Sequence, residues 1–175
     1  MATYKIDVDH SDVVFKVKHL MISTATGYFK KFDATLEVSE NDLSDAQVTF
    51  EADIDSIDTK NEQRDAHLKG EDFFSADQYP KMTFKSTGIK KAGDDEYKLA
   101  GNLTLRDVTK PVELKVEYNG KTIDPWGMER MGFEISGKIN RKDYGLTYSA
   151  VTEAGGLVLG DEVKLAMNVE MIKQA

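Results

Sequence analysis

Apolar and polar residues alternate with a period of two along most of this chain, and that pattern restricts the fold more than any other feature. Tyr4, Ile6 and Val8 alternate with Lys5 and Asp7, and Phe15, Val17 and His19 with Lys16 and Lys18. Ala34, Leu36 and Val38 alternate with Thr35 and Glu37. The pattern recurs over 46–54, 81–85, 97–106, 112–118, 133–139 and 163–171. A period of two puts one set of side chains on each face of a strand. These runs therefore predict about nine strands, each with one apolar and one wet face. Parallel sheets read instead as continuous apolar runs separated by helices. The sheet is expected to be antiparallel, and many antiparallel strands close into a barrel or pack as a sandwich.

Turn signals separate the runs at Gly93-Asp94-Asp95, Asn119-Gly120 and Ala154-Gly155-Gly156, with Asn119-Gly120 the strongest hairpin signal. Residues 59–76 break the alternation. Thr59-x-x-Glu62 has capping-box spacing and Gly70 suits a C′ position, which predicts a helix over about 60–69. Asp72 then starts a short turn carrying Phe73 and Phe74, and Pro80 precedes the next strand. No repeat or linker divides the chain, so residues 1–175 read as one domain.

Composition narrows the chemistry. The chain has no Cys, which excludes disulfides, thiolate zinc sites, iron–sulfur clusters and a cysteine nucleophile. There are 31 acidic and 23 basic residues, a net charge of −8. That balance argues against nucleic acid, and against anionic membranes on net charge alone. No apolar run is long enough for a transmembrane helix. The first ten residues lack a basic region followed by an apolar one, so the expected location is cytoplasmic. A chain trimmed of its leader would read the same way and would be periplasmic.

Enzyme and metal patterns are sparse. His10, His19 and His67 have no zinc-ligand spacing, and Ser11 beside His10 is not a triad, because neighbours on a strand diverge. The acidic run from Asp53 to Asp58 lacks EF-hand spacing. No phosphate-binding or dinucleotide fingerprint occurs. No catalytic residue, metal or cofactor is assigned. A barrel of about eight strands is either filled by side chains or holds one small ligand. Ala52, Gly101 and Gly137 fall at inward positions between bulky neighbours. They leave volume that neighbours must fill or a ligand can take, or mark bulges and strong coiling. Arg64 and His67, on the helix expected to close a barrel mouth, could meet an anionic head group, or tie helix to sheet. Arg141 with Asp143 forms a similar pair after a strand.

A set of ordered motifs then acquires meaning. They are His10-Ser11, Phe15-x-Val17-x-His19-Leu20-Met21, Gly27-x-Phe29, Ile57-x-Thr59, Arg64-Asp65-x-His67-Leu68 and Asp72-Phe73-Phe74. Further along come Tyr79-Pro80-x-Met82-Thr83-Phe84-x-Ser86-Thr87, Gly101-x-Leu103-Thr104-Leu105 and Val108-Thr109-Lys110-Pro111-Val112. Asn140-Arg141-x-Asp143-Tyr144-Gly145-Leu146 and Gly160-Asp161-Glu162-Val163 complete the set. In number, order and spacing they resemble the YceI-like family, the lipocalin-like polyisoprenoid-binding proteins of bacteria, over about residues 4–172.

The resemblance implies an all-β fold: an extended antiparallel lipocalin-like β-barrel of about eight or nine strands, with one helical insertion around 60–76. It also implies a long amphiphile, such as a polyisoprenoid phosphate or an isoprenoid quinone, carried in an apolar tunnel, and nothing in it implies catalysis or a metal. Under that reading the alternation supplies the lining candidates Phe15, Val17, Phe29, Phe50, Ile54, Leu68, Phe73, Phe74, Phe84, Leu103, Phe133, Ile135 and Met167. His19, Arg64, His67 and Arg141 are the polar candidates for the ligand site. The expected partner is an isoprenoid or other long-chain lipid. A transient membrane contact or a homodimer, through an apolar rim at Phe73-Phe74 or Trp126, stays open. Two other readings stand beside this one: an enzyme acting on an amphiphile with His19 or His67 as base, and a non-binding structural or stress protein with a filled barrel.

Overall fold

The structure, a computed structural model, describes residues 1–39, 42–148 and 159–175. Its strands are β1 (Ala2–Ile6), β2 (Asp12–His19), β3 (Ser23–Phe29), β4 (Phe32–Ser39), β5 (Asp42–Asp53), β6 (Ile57–Asp58), β7 (Lys81–Lys91), β8 (Glu96–Leu105), β9 (Val108–Ile123), β10 (Glu129–Asn140) and β11 (Leu159–Lys173). Among the described residues one α-helix, α1 (Glu62–Lys69), interrupts them.

Every pairing is antiparallel. The order β1-β4-β5-β7-β8-β9-β10-β11 closes on itself through β1–β11, giving a closed eight-stranded barrel. Strand β11 is the branch point. Its C-terminal part, Met171 to Lys173, pairs with β1, while Leu159 to Asn168 pair with β2. The chain leaves the ring after β1 through a 3-10 turn at Val8–His10 and returns beside β11 as β2. One end of the barrel is thus closed by β1, and the other is flared by the β2–β3 hairpin, whose outer edge meets β6.

Alternation decides which faces are buried. Along β4, Phe32, Ala34, Leu36 and Val38 are buried while Asp33 and Glu37 face water. On β8, Leu99, Leu103 and Leu105 are buried while Lys98 and Asn102 are exposed. At the flared end, aromatic rings from three segments stack into a plug. Phe15 lies 5.5 Å from Phe29 between centroids, and Phe29 lies 6.3 Å from Phe74. Edge-to-face and tilted rings at such separations add attraction beyond area burial.

Three local expectations are corrected. The helix is capped by Asn61, whose side chain accepts from the Arg64 amide at 2.9 Å, rather than by Thr59. Thr59 is buried and committed elsewhere: its amide and hydroxyl both donate to Asp65 Oδ1. Gly70 ends the helix with extended backbone at φ −79°, so no left-handed C′ residue is used. Asn119-Gly120 is not a hairpin turn. Tyr118 pairs with Phe133 and Gly120 with Gly132, so Asn119 is the extra residue of a β-bulge. The chain reverses at Asp124–Met128 instead. There Asp124 Oδ1 accepts from the amides of Trp126 and Met128, each at 2.9 Å, supplying locally the bonds that the tight turn lacks. Strands β3 and β6 were not expected. The Ala154-Gly155-Gly156 turn signal lies outside the described residues.

Candidate functional site

Eight barrel strands and β2 send apolar side chains into the barrel interior, where they enclose a cavity of about 120 Å³. It is bounded near the flared end by Met82, Leu103, Val112 and Leu165, and near the closed end by Leu43, Tyr97 and Met171. Among the described residues, Tyr97 is the one lining residue whose side chain carries a polar group. Among the described residues, no ionisable acid or base other than that phenol lines it. The wall can therefore bury hydrocarbon, worth about 0.8 kcal/mol per CH₂, but it offers no carboxylate or imidazole for proton transfer or metal binding.

Six of the sequence-derived candidates line this cavity: Phe50, Phe84, Leu103, Phe133, Ile135 and Met167. The others do not. Phe29, Ile54 and Phe73 are buried in the plug at the flared end, with Phe74 and Leu68 packed half-buried against it. Phe15 and Val17 are half-buried on β2, beyond the cavity, and His19 is exposed at the strand's end. Alternation sorts inward from outward, but it does not say how far along the axis an inward residue sits. That is why the plug and the wall were not separated.

Three of the polar candidates bond their own chain. Arg64 donates from Nε to the Thr59 hydroxyl at 2.8 Å and from Nη2 to the Thr59 carbonyl at 2.6 Å. His67 Nε2 lies 3.0 Å from Asp72 Oδ2, and its ring packs edge-on against Phe73 and Tyr148. Arg141, 3% exposed, donates to the carbonyls of Gly160, Leu146 and Tyr148 at 2.9, 2.6 and 2.6 Å. Its guanidinium staples the end of β10 to the start of β11, and burial lowers its pKa. None of the three lines the cavity.

The inward glycines are not gaps either. A Cβ on Gly101 would lie 2.4 Å from Cζ of Phe84 and one on Gly137 would lie 2.5 Å from Cδ2 of Leu114. Neighbouring side chains already occupy the space that each glycine leaves.

A polar cluster lies on Asp7, β10 and β11. Arg130 Nη1 donates to Asp7 Oδ2 at 2.7 Å and to Glu170 Oε1 at 2.9 Å, while Nε donates to Asp124 Oδ2 at 2.7 Å. These bonds hold the Asp7 and Asp124 carboxyls below their ordinary pKa. Asp7 in turn raises the pKa of His10, 2.7 Å away. Among the described residues, Asp7, His10 and Glu170 are the one grouping with metal-ligand spacing. The Arg130 guanidinium already bonds both of its carboxylates, so it reads as a strap across the split between β1 and β2. Asp7 and Arg130 are 123 positions apart, and no sequence spacing signals their meeting.

Comparison with known proteins places this architecture. The YceI-like domain model matches residues 4–171. The chain belongs to the YceI-like family. Protein YceI of Salmonella newport is 41% identical over 175 residues, covering 99% of this chain and 88% of that protein. The crystal structure of Burkholderia cenocepacia BcnA superposes with a TM-score of 0.83 at 23% identity, over 94% of this chain and 98% of that one. A structure described as a polyisoprenoid binding domain from Saccharophagus degradans superposes with a TM-score of 0.72 at 15% identity, over 98% of both chains. At these identities the two structures establish the shared lipocalin-like barrel. The YceI-like chain described here keeps it with α1 and the β2–β3 hairpin at one end.

Proposed function

We propose that this YceI-like protein binds a long apolar amphiphile, of the polyisoprenoid phosphate or isoprenoid quinone type, along the barrel axis, and serves in its transport, storage or sequestration without catalysis. The observation that carries the reading is the apolar wall, in which Tyr97 is the one described residue with a polar side-chain group. The polyisoprenoid-binding description of the Saccharophagus degradans domain, which has the same fold, supports it.

Volume sets a condition on binding. At about 120 Å³ the cavity is smaller than the ~300–1,000 Å³ of most ligand pockets. A long tail must therefore turn lining rings aside as it enters, and that repacking cost offsets part of the burial gain. The same narrowness, with side chains occupying the glycine spaces, favours a filled, non-binding barrel as the second reading.

Native mass spectrometry of the purified protein, followed by organic extraction, separates the two. A co-purified isoprenoid at near-stoichiometric amount supports the carrier. A bare mass, together with no rise in fluorescence of an added anilinonaphthalene sulfonate, supports the filled barrel.

A further inference from the structure

Strands β10, β11 and β2 differ sharply on their two faces near the flared end. On the inner face, Ile139 pairs with Val163 and Val163 with Val17, and Leu165 pairs with Phe15. These side chains are half-buried, and Leu165 belongs to the cavity wall. They form an apolar ramp from the cavity towards the end of the β2–β3 hairpin. On the outer face, Lys138 pairs with Lys164 and Lys164 with Lys16, three ammonium groups side by side across three strands. Lys18 follows on β2. Like charges directly opposite one another destabilise a sheet. Among the described residues none of the four lysines has a carboxylate ion-pair partner. The nearest acid along the strand is Glu162, opposite Asn140.

The hairpin ends in an unusual turn. Its amide–carbonyl bond, Ile22 N to His19 O at 3.2 Å, closes over Leu20 and Met21, at φ 53° and 59°. Two consecutive left-handed residues normally call for Asn-Gly, because a larger side chain there is strained. Here the tip is instead Leu20, Met21 and Ile22, which are 39%, 61% and 84% exposed. Folding gains nothing from apolar side chains held in water on a strained turn.

We propose that this tip and the lysine row form a docking surface for an anionic lipid bilayer. The tip enters the boundary between head groups and acyl chains, and the lysines meet lipid phosphates. Apolar elements of this kind bury about 5–10 Å into a membrane interface. Lys18 lies two residues from Leu20 and Lys16 four, so at ~3.3 Å per residue they sit about 7 and 13 Å from the tip. Tilting the outer face of these strands towards the membrane brings the whole row to head-group level. The protein's net charge of −8 opposes binding by other faces, so attraction at this one also sets the orientation. The opposite end exposes Trp126, Ile123 and Met128, but the cations on the strands that carry or flank them are spent. Lys121 and Lys173 both pair with Glu129, and Arg130 with three carboxylates. That apolar hairpin therefore has no lysine row beside it, and among the described residues the nearest unpaired lysines at that end, Lys90 and Lys91, lie on β7, away from β9 and β10. A role for the docked face in ligand transfer rests on the cavity reading above; the docking itself does not.

Flotation of the full chain with vesicles tests it. Binding is expected to vesicles of phosphatidylcholine mixed with phosphatidylglycerol, to weaken with added salt, and to be far weaker with phosphatidylcholine alone. Lys16→Gln, Lys138→Gln and Lys164→Gln should each lower the partition coefficient about five-fold. Met21→Ser with Ile22→Ser should lower it at least about ten-fold. All of these positions are exposed or strand-outward, and unchanged melting curves would show the variants folded. Probe fluorescence from the cavity should also be unchanged in them, which separates loss of docking from loss of the lipid site. Failure of the wild type to float, or equal flotation of the variants, overturns the proposal. So would a wild-type dimer in solution that Ile22→Ser converts to monomer, because the tip would then be covered by a second copy.

Discussion

Gly101→Ala tests whether the barrel wall is as closely fitted as the geometry says. The added methyl would sit 2.4 Å from Phe84 Cζ and 2.6 Å from the Lys85 carbonyl oxygen. The ring can yield by moving into the cavity it lines, but Lys85 is fixed by its pairing with Asn102. Overpacking of this sort costs about 1–3 kcal/mol, and replacing glycine returns ~0.4–1 kcal/mol by restricting the unfolded chain. A net loss of about 1–2 kcal/mol follows, which lowers Tm by roughly 2–8 °C in a chain of this size. Gly88→Ala is the matched control on the neighbouring strand. No atom lies within 4 Å of its added Cβ, so it should be neutral or slightly stabilising. Phe84→Leu should couple favourably with Gly101→Ala, by about 0.5–1.5 kcal/mol in a double-mutant cycle, because it removes the ring tip that the methyl meets. Urea midpoints and melting curves read all of these, and a cavity-bound fluorescent probe should dim in Gly101→Ala as Phe84 moves inward. Equal stability of Gly101→Ala and Gly88→Ala, or strict additivity with Phe84→Leu, would refute the reasoning.

Other outcomes follow from the polar groups. Arg141→Met removes the guanidinium donor from two buried carbonyls and one part-buried one and should cost on the order of 2–4 kcal/mol in urea unfolding, with lysine at that position recovering only part. Asp7 and Asp124 have folded pKa values below their ordinary 3.8, so their stabilisation is full above that value and is lost as pH falls through the lowered ones. Arg130→Met should therefore flatten the acid limb of stability against pH. His10 is shifted the other way, above 6.5. Its contribution is complete below 6.5 and disappears as pH rises through the raised value, so the gap between wild type and His10→Gln should close on going from mildly acid to mildly alkaline buffer.

The barrel was legible because a period of two survives wherever one face of a strand is buried, as on β4, β8 and β10. It failed at β3, Ser23-Thr-Ala-Thr-Gly-Tyr-Phe29, for a reason visible in the structure. Phe15 on β2 takes the volume over Gly27: a Cβ there would lie 2.1 Å from its ring. Two of the inward residues of β3, Ala25 and Gly27, are small because their partners on β2, Val17 and Phe15, are large, so much of the apolar signal of two strands is carried by one. The same transfer of volume decides between the alternatives open at Gly101 and Gly137, where a small residue marks a neighbour's side chain rather than an empty space. The hairpin signal at Asn119-Gly120 failed differently. A left-handed glycine, φ 119° at Gly120, serves a bulge as well as a turn, and the ladder on both sides of it decides between them. The candidate site divides along the same line. The inward set was readable from single strands. The Arg130 strap, the Arg141 staple and the lysine row exist only once strands far apart in sequence are in register. The lysine row shows the difference most plainly: Lys16, Lys138 and Lys164 are unremarkable outward residues in their own strands, and they become one positive surface because two registers align them beside an apolar tip.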